Sequence, residues 1–236
     1  MSMLLYIQKR YGRLLNRKQI CIWSSGYDEE LFKRVKDYLS ANLNILSKLR
    51  NILGIRATKV LLYYGSLDKS RLESLILMVE TIKLLLNDGF DIQLIILGDG
   101  NGINFLKNII KHNQLESYVI IKPTVPYVLV PVILYVADLV FAPFPLNQNW
   151  YVQFPLKIAE AIGMGKPVIT TPLIELKCLL PSDFIVEAFD PVALKERVIK
   201  ILFYSNLDEY SSKIKELQNN LSWATVAKKL SRLIDS

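Results

Sequence analysis

The run QFPLKIAEAIGMGKPVITTP, residues 153–172, contains side chains and backbone groups that could bind an anion. Pro155 suits the first position of a helix, because a helix start leaves its first N–H groups unpaired in any case. Phe154 before it has no side-chain oxygen to cap that start. The helix should therefore begin with backbone donors free for an anion, at Leu156, Lys157 and Ile158.

Lys157 and Glu160 are three residues apart and should share one face of this helix. A cation at the helix start and a carboxylate deeper along it could bind a phosphate and a sugar diol together. The same spacing is typical of an ordinary exposed ion pair. The residues by themselves leave both interpretations open.

A second candidate is the run GSLDKSRLES, from Gly65 to Ser74, which follows an apolar strand. Gly65 would let the backbone approach a ligand closely, and Lys69 and Arg71 bring positive charge to the start of the next helix. An arginine can hold a phosphate through two hydrogen bonds. The alternative is a strand–helix turn whose cations are simply solvated.

The run LGDGNG, from Leu97 to Gly102, resembles the start of a dinucleotide-binding fingerprint, but Ile103 stands where the third glycine or alanine belongs. We expect a tight structural turn, with Gly98 able to line a cleft. A nucleotide-dependent oxidoreductase is therefore disfavoured. His112 lies beside Lys111 on a predicted amphipathic helix, and we interpret it as a surface residue rather than a catalytic base.

Strands and helices alternate from Lys59 onward, which predicts an α/β fold: a Rossmann-like parallel sheet of about six strands with helices on both faces. Ligands of such sheets bind beyond the carboxyl ends of the strands, where the glycine turns lie. The predicted strands are Lys59–Leu67, Asp91–Gly100, Tyr118–Lys122, Asp138–Phe144, Lys166–Thr171 and Asp183–Phe189.

The apolar segment from Val125 to Phe144 is long enough to span a bilayer, which takes ~20 residues. Its prolines and Asp138 divide it into a short helix, a turn and a strand instead. We expect a basic helical stretch from about Lys33 to Leu53. Residues 1–58 are predicted to be a helical or linker segment, and residues 59–236 the main domain with its C-terminal helices.

The net charge is +7, and the pI is about 9.2, which favours anionic partners such as nucleotide phosphates or acidic lipid headgroups. Cys21, Cys178 and His112 do not have metal-ligand spacing, so no metal site is expected. A reducing, cytoplasmic location is the default. The basic residues from Lys9 to Lys18, with those of 33–36, could support peripheral contact with an anionic membrane.

Several motifs, in order, resemble the C-terminal domain of the family-four retaining glycosyltransferases, which have the GT-B fold. The resemblance runs from about Ile20 to the C-terminus. The motifs are WSSGYDEELF, VLLYYGSL, IQLIILGDG, YVADLVFAPF, PLKIAEAIGMGKPVITT and SWATVAKKL. The fifth is the most specific, and the order and spacing of all six together carry the match.

The resemblance implies roles for individual positions. The family's basic residues after the first strand bind the donor diphosphate; the arginine of its "GRL" turn is Ser66 here, and its later lysine aligns with Arg71. Glu160 aligns with the glutamate that binds the nucleotide ribose. The family's sugar-contacting glutamate, eight residues earlier, is Val152 here, whereas the "PLK" run fits a variant in which Lys157 serves the phosphates.

We therefore expect the donor-binding half of a glycosyltransferase that uses a UDP- or GDP-sugar without a metal or other cofactor, and with retention of configuration. The predicted catalytic residues are Arg71, Lys157 and Glu160. The predicted donor-binding residues are Gly65, Ser66, Lys69, Gly98, Phe154, Pro155 and Leu156.

The acceptor-binding half that this family places before its donor half is expected to be missing from the chain. The partner could then be a separate acceptor-domain subunit or a second copy of the chain, and no nucleic acid is expected. The alternative function is a non-catalytic nucleotide-sugar-binding module that pairs with a separate acceptor domain.

Overall fold

Five parallel strands form the centre of the computed structural model, which describes residues 25–145, 154–204 and 207–234. Their order across the sheet is β3-β2-β1-β4-β5, so the first strand lies in the middle. Most of their side chains are buried, as expected for apolar strands covered on both faces, and the half-buried ones lie at the two ends of the first strand and along the third. The strands are β1 Lys59–Tyr64, β2 Ile92–Leu97, β3 Val119–Lys122, β4 Leu139–Ala142 and β5 Val168–Thr170.

Ten α-helices flank this sheet in the described residues. They are α1 Glu29–Ala41, α2 Leu43–Leu53, α3 Leu72–Asn87, α4 Ile103–His112, α5 Val130–Val136, α6 Leu156–Gly163, α7 Ile174–Leu179, α8 Pro191–Ile199, α9 Leu207–Leu221 and α10 Trp223–Ile234. Helix α3 packs against α4 and α8, α6 packs against α9, and α1 packs against α5.

The predicted sixth strand, Asp183–Phe189, is wrong. The chain forms a 3-10 turn at Ser182–Phe184 and then makes a single parallel bridge between Ile185 and Thr170. Phe184 is completely buried within that turn, so the segment closes over the edge of β5 instead of extending it. The α/β architecture expected from the sequence is otherwise confirmed.

The apolar segment from Val125 to Phe144 divides as predicted into short elements. A 3-10 turn at Tyr127–Leu129 leads into α5, and β4 follows two residues after that helix ends. Within the described ranges, no helix is both long and apolar enough to cross a membrane.

The segment that precedes β1 contributes to the hydrophobic core. Phe32 of α1 is buried, and so is Tyr27 just before that helix. The backbone N–H of Tyr27 donates to Leu221 O at 3.0 Å, and its carbonyl accepts from Trp223 N at 3.1 Å. The helical structure predicted for 33–53 is confirmed, and its packing ties the start of the described chain to the C-terminal helices. The domain boundary at residue 58 stays a prediction.

Truncating Phe32 tests whether this segment is an integral part of the core. We expect Phe32→Ala to lower the free energy of unfolding by about 3–5 kcal/mol, because a fully buried aromatic ring leaves both a transfer cost and a cavity. Urea denaturation followed by circular dichroism measures this change. The control is Leu43→Ala, since Leu43 is 69% exposed, and it should change stability by less than about 1 kcal/mol. Similar losses in both variants would contradict the packing described.

Candidate functional site

The ends of β1 and β2 are level, because Tyr64 pairs with Leu97 across the two strands. This register places the turn after β1 directly against the glycine loop after β2. A Cβ atom on Gly98 would lie 2.1 Å from the carbonyl oxygen of Gly65. The Gly98 N–H is also occupied, since it donates to Lys122 O at 3.1 Å. Gly98 therefore packs closely against the backbone of the turn after β1, which agrees with the structural role expected for its loop. Its predicted contact with a donor stays a prediction.

Hydrogen bonds fix the turn that Gly65 begins. Leu67 N donates to Asp99 O at 2.9 Å, and Lys69 N donates to the side-chain oxygen of Asn101 at 2.9 Å. Ser66 Oγ donates to an Asp68 carboxylate oxygen at 2.7 Å. This bond is the main cause that holds the pKa of Asp68 below its usual value. Because the Lys69 N–H already has a partner, any role of Lys69 with an anion would fall to its exposed ammonium.

The ammonium of Lys157 lies beside Gly65, although the two residues belong to different elements. A Cβ atom at position 65 would be only 2.9 Å from Lys157 Nζ, and the Gly65 φ of +143° also disfavours a side chain. The same Nζ lies 4.1 Å from the centroid of the Tyr63 ring, which is a cation–π contact. Glycine at position 65 thus suits the backbone conformation of the turn and leaves room for the lysine that α6 supplies.

The positive charge of Lys157 is destabilised in this position. Burial, and then the neighbouring charge of Arg71, lower the pKa of Lys157 to about 7, against a smaller opposing effect of Glu160. An anion between the two cations would relieve their repulsion and restore the charged form of the lysine.

Arg71 reaches the same place from the other side of the turn. It ends the 3-10 turn Lys69–Arg71 that leads into α3, and its guanidinium carbon lies 5.9 Å from the centroid of the Phe144 ring. Partial burial lowers the pKa of Arg71, while Tyr63 and Asp68 oppose that shift. The structure thus brings together the cations of two helix starts that lie far apart in the sequence.

Glu160 is only 3% exposed, so the interpretation of Lys157 and Glu160 as an exposed surface ion pair is wrong. The hydroxyl of Tyr64 donates to Glu160 Oε2 at 2.6 Å. Burial raises the pKa of Glu160, while the Tyr64 hydrogen bond and the charge of Lys157 lower it. A carboxylate held in this way next to a cation is suited to accept hydrogen bonds from hydroxyl groups.

α6 begins at Leu156 and Pro155 is its N-cap residue, so the prediction of Pro155 as the first helical residue is wrong by one position; the expected absence of a side-chain cap is confirmed. The prediction of three free donors is wrong in one respect, because Ile158 N donates to Pro155 O at 3.0 Å in a tightened first turn. Among the described residues, the backbone N–H groups of Leu156 and Lys157 are left for a ligand. Leu156 exposes its side chain at this helix start, and Phe154 is half-buried before it.

Tyr63 and Tyr64 are the site residues that the sequence analysis missed. The signal was available, because two aromatic residues with polar tips precede the glycine turn at the end of a strand. Val152, together with the cationic region from Lys9 to Lys18 and Cys21, lies outside the described residues. In the described ranges no three His, Cys, Asp or Glu side chains come together as a possible metal site. The absence of a metal in donor binding stays a prediction.

Comparison with known proteins places this geometry in a family. The family model for "Glycosyl transferases group 1" matches residues 58–203, which is more than half of the chain. The chain therefore belongs to the group 1 glycosyl transferases. A search among curated protein sequences finds no match.

Solved structures share the fold at low sequence identity. A glycosyltransferase from Rickettsia africae superposes with a TM-score of 0.71 at 17% identity over 98% of this chain and 60% of that one. Sucrose-phosphate synthase from Thermosynechococcus elongatus gives 0.70 at 17% identity over 98% and 55%. Anabaena HepE, solved with UDP and glucose, gives 0.66 at 17% identity over 89% and 55%. The chain thus spans a little over half the length of these proteins and has the fold of one half of a GT-B enzyme.

Replacing Lys157 by Met should change how stability depends on pH. The pKa of Lys157 is about 7 in the folded protein, and that of an unfolded lysine is about 10.4. Between these values the unfolded chain binds more protons, so the contribution of Lys157 to stability is low near pH 7 and increases as the pH rises. We expect the unfolding free energy of the wild type minus that of Lys157→Met to rise between pH 7 and 9, by up to ~1 kcal/mol per pH unit.

Urea denaturation at each pH measures this difference. Lys157→Arg is the matched control, because a guanidinium stays charged throughout this range and should give no such rise relative to Lys157→Met. If the unfolding free energy of the wild type minus that of Lys157→Met stays constant or falls as the pH rises, the Lys157 ammonium is solvated in the folded protein and this interpretation is wrong.

Proposed function

We propose that this chain is the donor-binding half of a glycosyltransferase that transfers a sugar from a nucleotide diphosphate sugar with retention of configuration. The observation that carries the proposal is the convergence of Lys157 Nζ, Arg71 and the uncapped start of α6 at the carboxyl end of β1, with Glu160 buried behind them. Family membership and the GT-B fold support it.

The diphosphate would lie between the two cations. Its negative charge matches the Lys157 ammonium and the Arg71 guanidinium, and the N–H groups of Leu156 and Lys157 can donate to its oxygens. When the bond to the sugar breaks, charge develops on the diphosphate, and donors fixed in advance stabilise that charge without reorganisation. Because Lys157 is partly deprotonated near neutral pH, donor binding should be accompanied by proton uptake.

Glu160 would hold the ribose of the nucleotide. A carboxylate accepts hydrogen bonds from two neighbouring hydroxyls, and Glu160 lies one helical turn deeper than the start of α6. We propose UDP- or GDP-sugars as donors, with no metal required. HepE binds UDP and glucose in its crystal structure, which agrees with this class of donor.

We propose further that transfer requires a second half to bind the acceptor. A GT-B site lies between two halves, and this chain spans 55–60% of the matched enzymes. The second half would be a separate subunit or another domain. The same coverage favours one alternative, a non-catalytic module that binds nucleotide sugars for such a partner, and sugar transfer by the isolated chain would exclude it.

Calorimetric titration with UDP- and GDP-sugars tests donor binding. We expect sugar nucleotides of one base, either uracil or guanine, to bind. Arg71→Gln should weaken that binding by about tenfold to a hundredfold, because a charge-assisted hydrogen bond is worth about 1.5–3 kcal/mol. The corresponding nucleoside monophosphates should bind more weakly and be less sensitive to Arg71→Gln. The control is Arg56→Gln. Arg56 is exposed just before β1, at the amino ends of the strands and so opposite the candidate site, and its replacement should leave the affinity unchanged.

The absence of heat with every donor, from a chain shown to be folded by circular dichroism, would overturn the proposal. Equal losses of affinity in the Arg71 and Arg56 variants would remove Arg71 from the donor site.

A further inference from the structure

We propose that Tyr64 is the positioning residue for Glu160: its hydroxyl holds one carboxylate oxygen, so that the other is presented to the ribose diol. This inference rests on the proposed function, in which Glu160 binds the ribose. It adds a residue that neither the motifs nor the comparisons assign.

The geometry begins at the end of β1. Tyr64 is the last residue of that strand, at the centre of the sheet, and its hydroxyl reaches across to α6. The distance from Tyr64 Oη is 2.6 Å to Glu160 Oε2 and 3.2 Å to the carbonyl oxygen of Lys157. The phenol has one proton, and the shorter contact identifies the carboxylate as its main acceptor.

Glu160 depends on this contact. Within the described residues, Tyr64 is the only donor within hydrogen-bonding distance of the carboxylate, and Glu160 itself is 3% exposed. A buried carboxylate without its donor bears the full desolvation cost of its charge, and its side chain is free to rotate away from the diol. Tyr64 thus fixes both the charge and the direction of the group that would select a ribose.

The groups that face Glu160 come from three elements. Tyr64 approaches from β1, Lys157 from the first turn of α6, and Tyr127 from the 3-10 turn before α5. Burial and then the charge of Glu160 raise the pKa of Tyr127, while a backbone hydrogen bond at Asp28 lowers it, so Tyr127 interacts with the carboxylate only electrostatically. Tyr127 is 42% exposed, whereas Tyr64 is held between the sheet and α6, which makes Tyr64 the rigid partner.

The test compares ribose and dideoxyribose nucleotides. UDP and GDP, and their 2′,3′-dideoxy counterparts, are titrated into the wild type, Tyr64→Phe and Glu160→Gln. We expect the wild type to prefer the ribose form of one nucleotide, and Tyr64→Phe to reduce that preference by about tenfold, the size of a ~1.4 kcal/mol hydrogen bond. The affinity of Tyr64→Phe for the dideoxy form should stay within about twofold of the wild type, since no diol is present to be positioned.

Tyr63→Phe is the matched control. Tyr63 is the neighbouring tyrosine, but its hydroxyl donates to a backbone carbonyl, that of Ser66, at 3.0 Å. Its loss should alter the ribose and dideoxy forms equally and leave the preference unchanged. The double variant Tyr64→Phe/Glu160→Gln should show no lower preference for ribose than Glu160→Gln alone. If Tyr64→Phe folds poorly because the Glu160 carboxylate is left charged and unpaired, the double variant lacks that charge and can be titrated in its place.

The outcomes separate the two proposals. If the wild type binds neither nucleotide, or binds ribose and dideoxy forms equally, the proposed role of Glu160 fails and the inference fails with it. If the wild type prefers the ribose form and Glu160→Gln reduces that preference, but Tyr64→Phe keeps the full preference or loses affinity equally for both forms, only the role of Tyr64 is overturned.

Discussion

The arrangement at the end of β1 depends on one close approach, in which the ammonium of Lys157 occupies the space that a side chain at position 65 would fill. That contact joins the central strand of the sheet to the start of α6. It also places a lysine against the ring of Tyr63 and near Arg71, where burial and the neighbouring charge disfavour its charged form. In the proposed function, a diphosphate at this end of the sheet would stabilise the charged form of Lys157 and relieve its repulsion with Arg71.

The surrounding structure maintains this approach. β1 lies between β2 and β4, and the backbone at Gly65 is held by β2, because the Gly65 N–H donates to Leu97 O at 2.9 Å. The loop from Gly98 to Gly102 packs backbone to backbone against the same turn, which only residues without a Cβ atom allow. α6 is in turn held by α9, and a Cβ atom at Gly163 would lie 2.4 Å from the ring of Tyr27. The site is built on rigid elements, while the glycines that look like a binding fingerprint serve as packing.

The sequence predicted the parts of this structure that depend on local pattern. Apolar runs located the five strands, two of which end at glycine turns, and Pro155 located the uncapped start of a helix to within one residue. The charges of Lys157 and Arg71 were correctly associated with two helix starts, although their meeting depends on the order of the strands. The predictions that were wrong or missing concern contacts between segments that are distant in the sequence. The burial of Glu160 and its bond to Tyr64 required knowing that β1 lies beside α6, and Asp183–Phe189 resembled a strand because its apolar residues seal the edge of one.

The most direct measurement is a crystal structure of the chain soaked with the UDP- or GDP-sugar that it binds. The diphosphate should lie against the first turn of α6, with oxygens within hydrogen-bonding distance of the Leu156 and Lys157 backbone nitrogens and of the Arg71 guanidinium. Lys157 Nζ should have turned from Gly65 toward the phosphate. A diphosphate bound elsewhere, or a lysine that still rests against Gly65 beside an empty cleft, would contradict a donor site at this edge of the sheet.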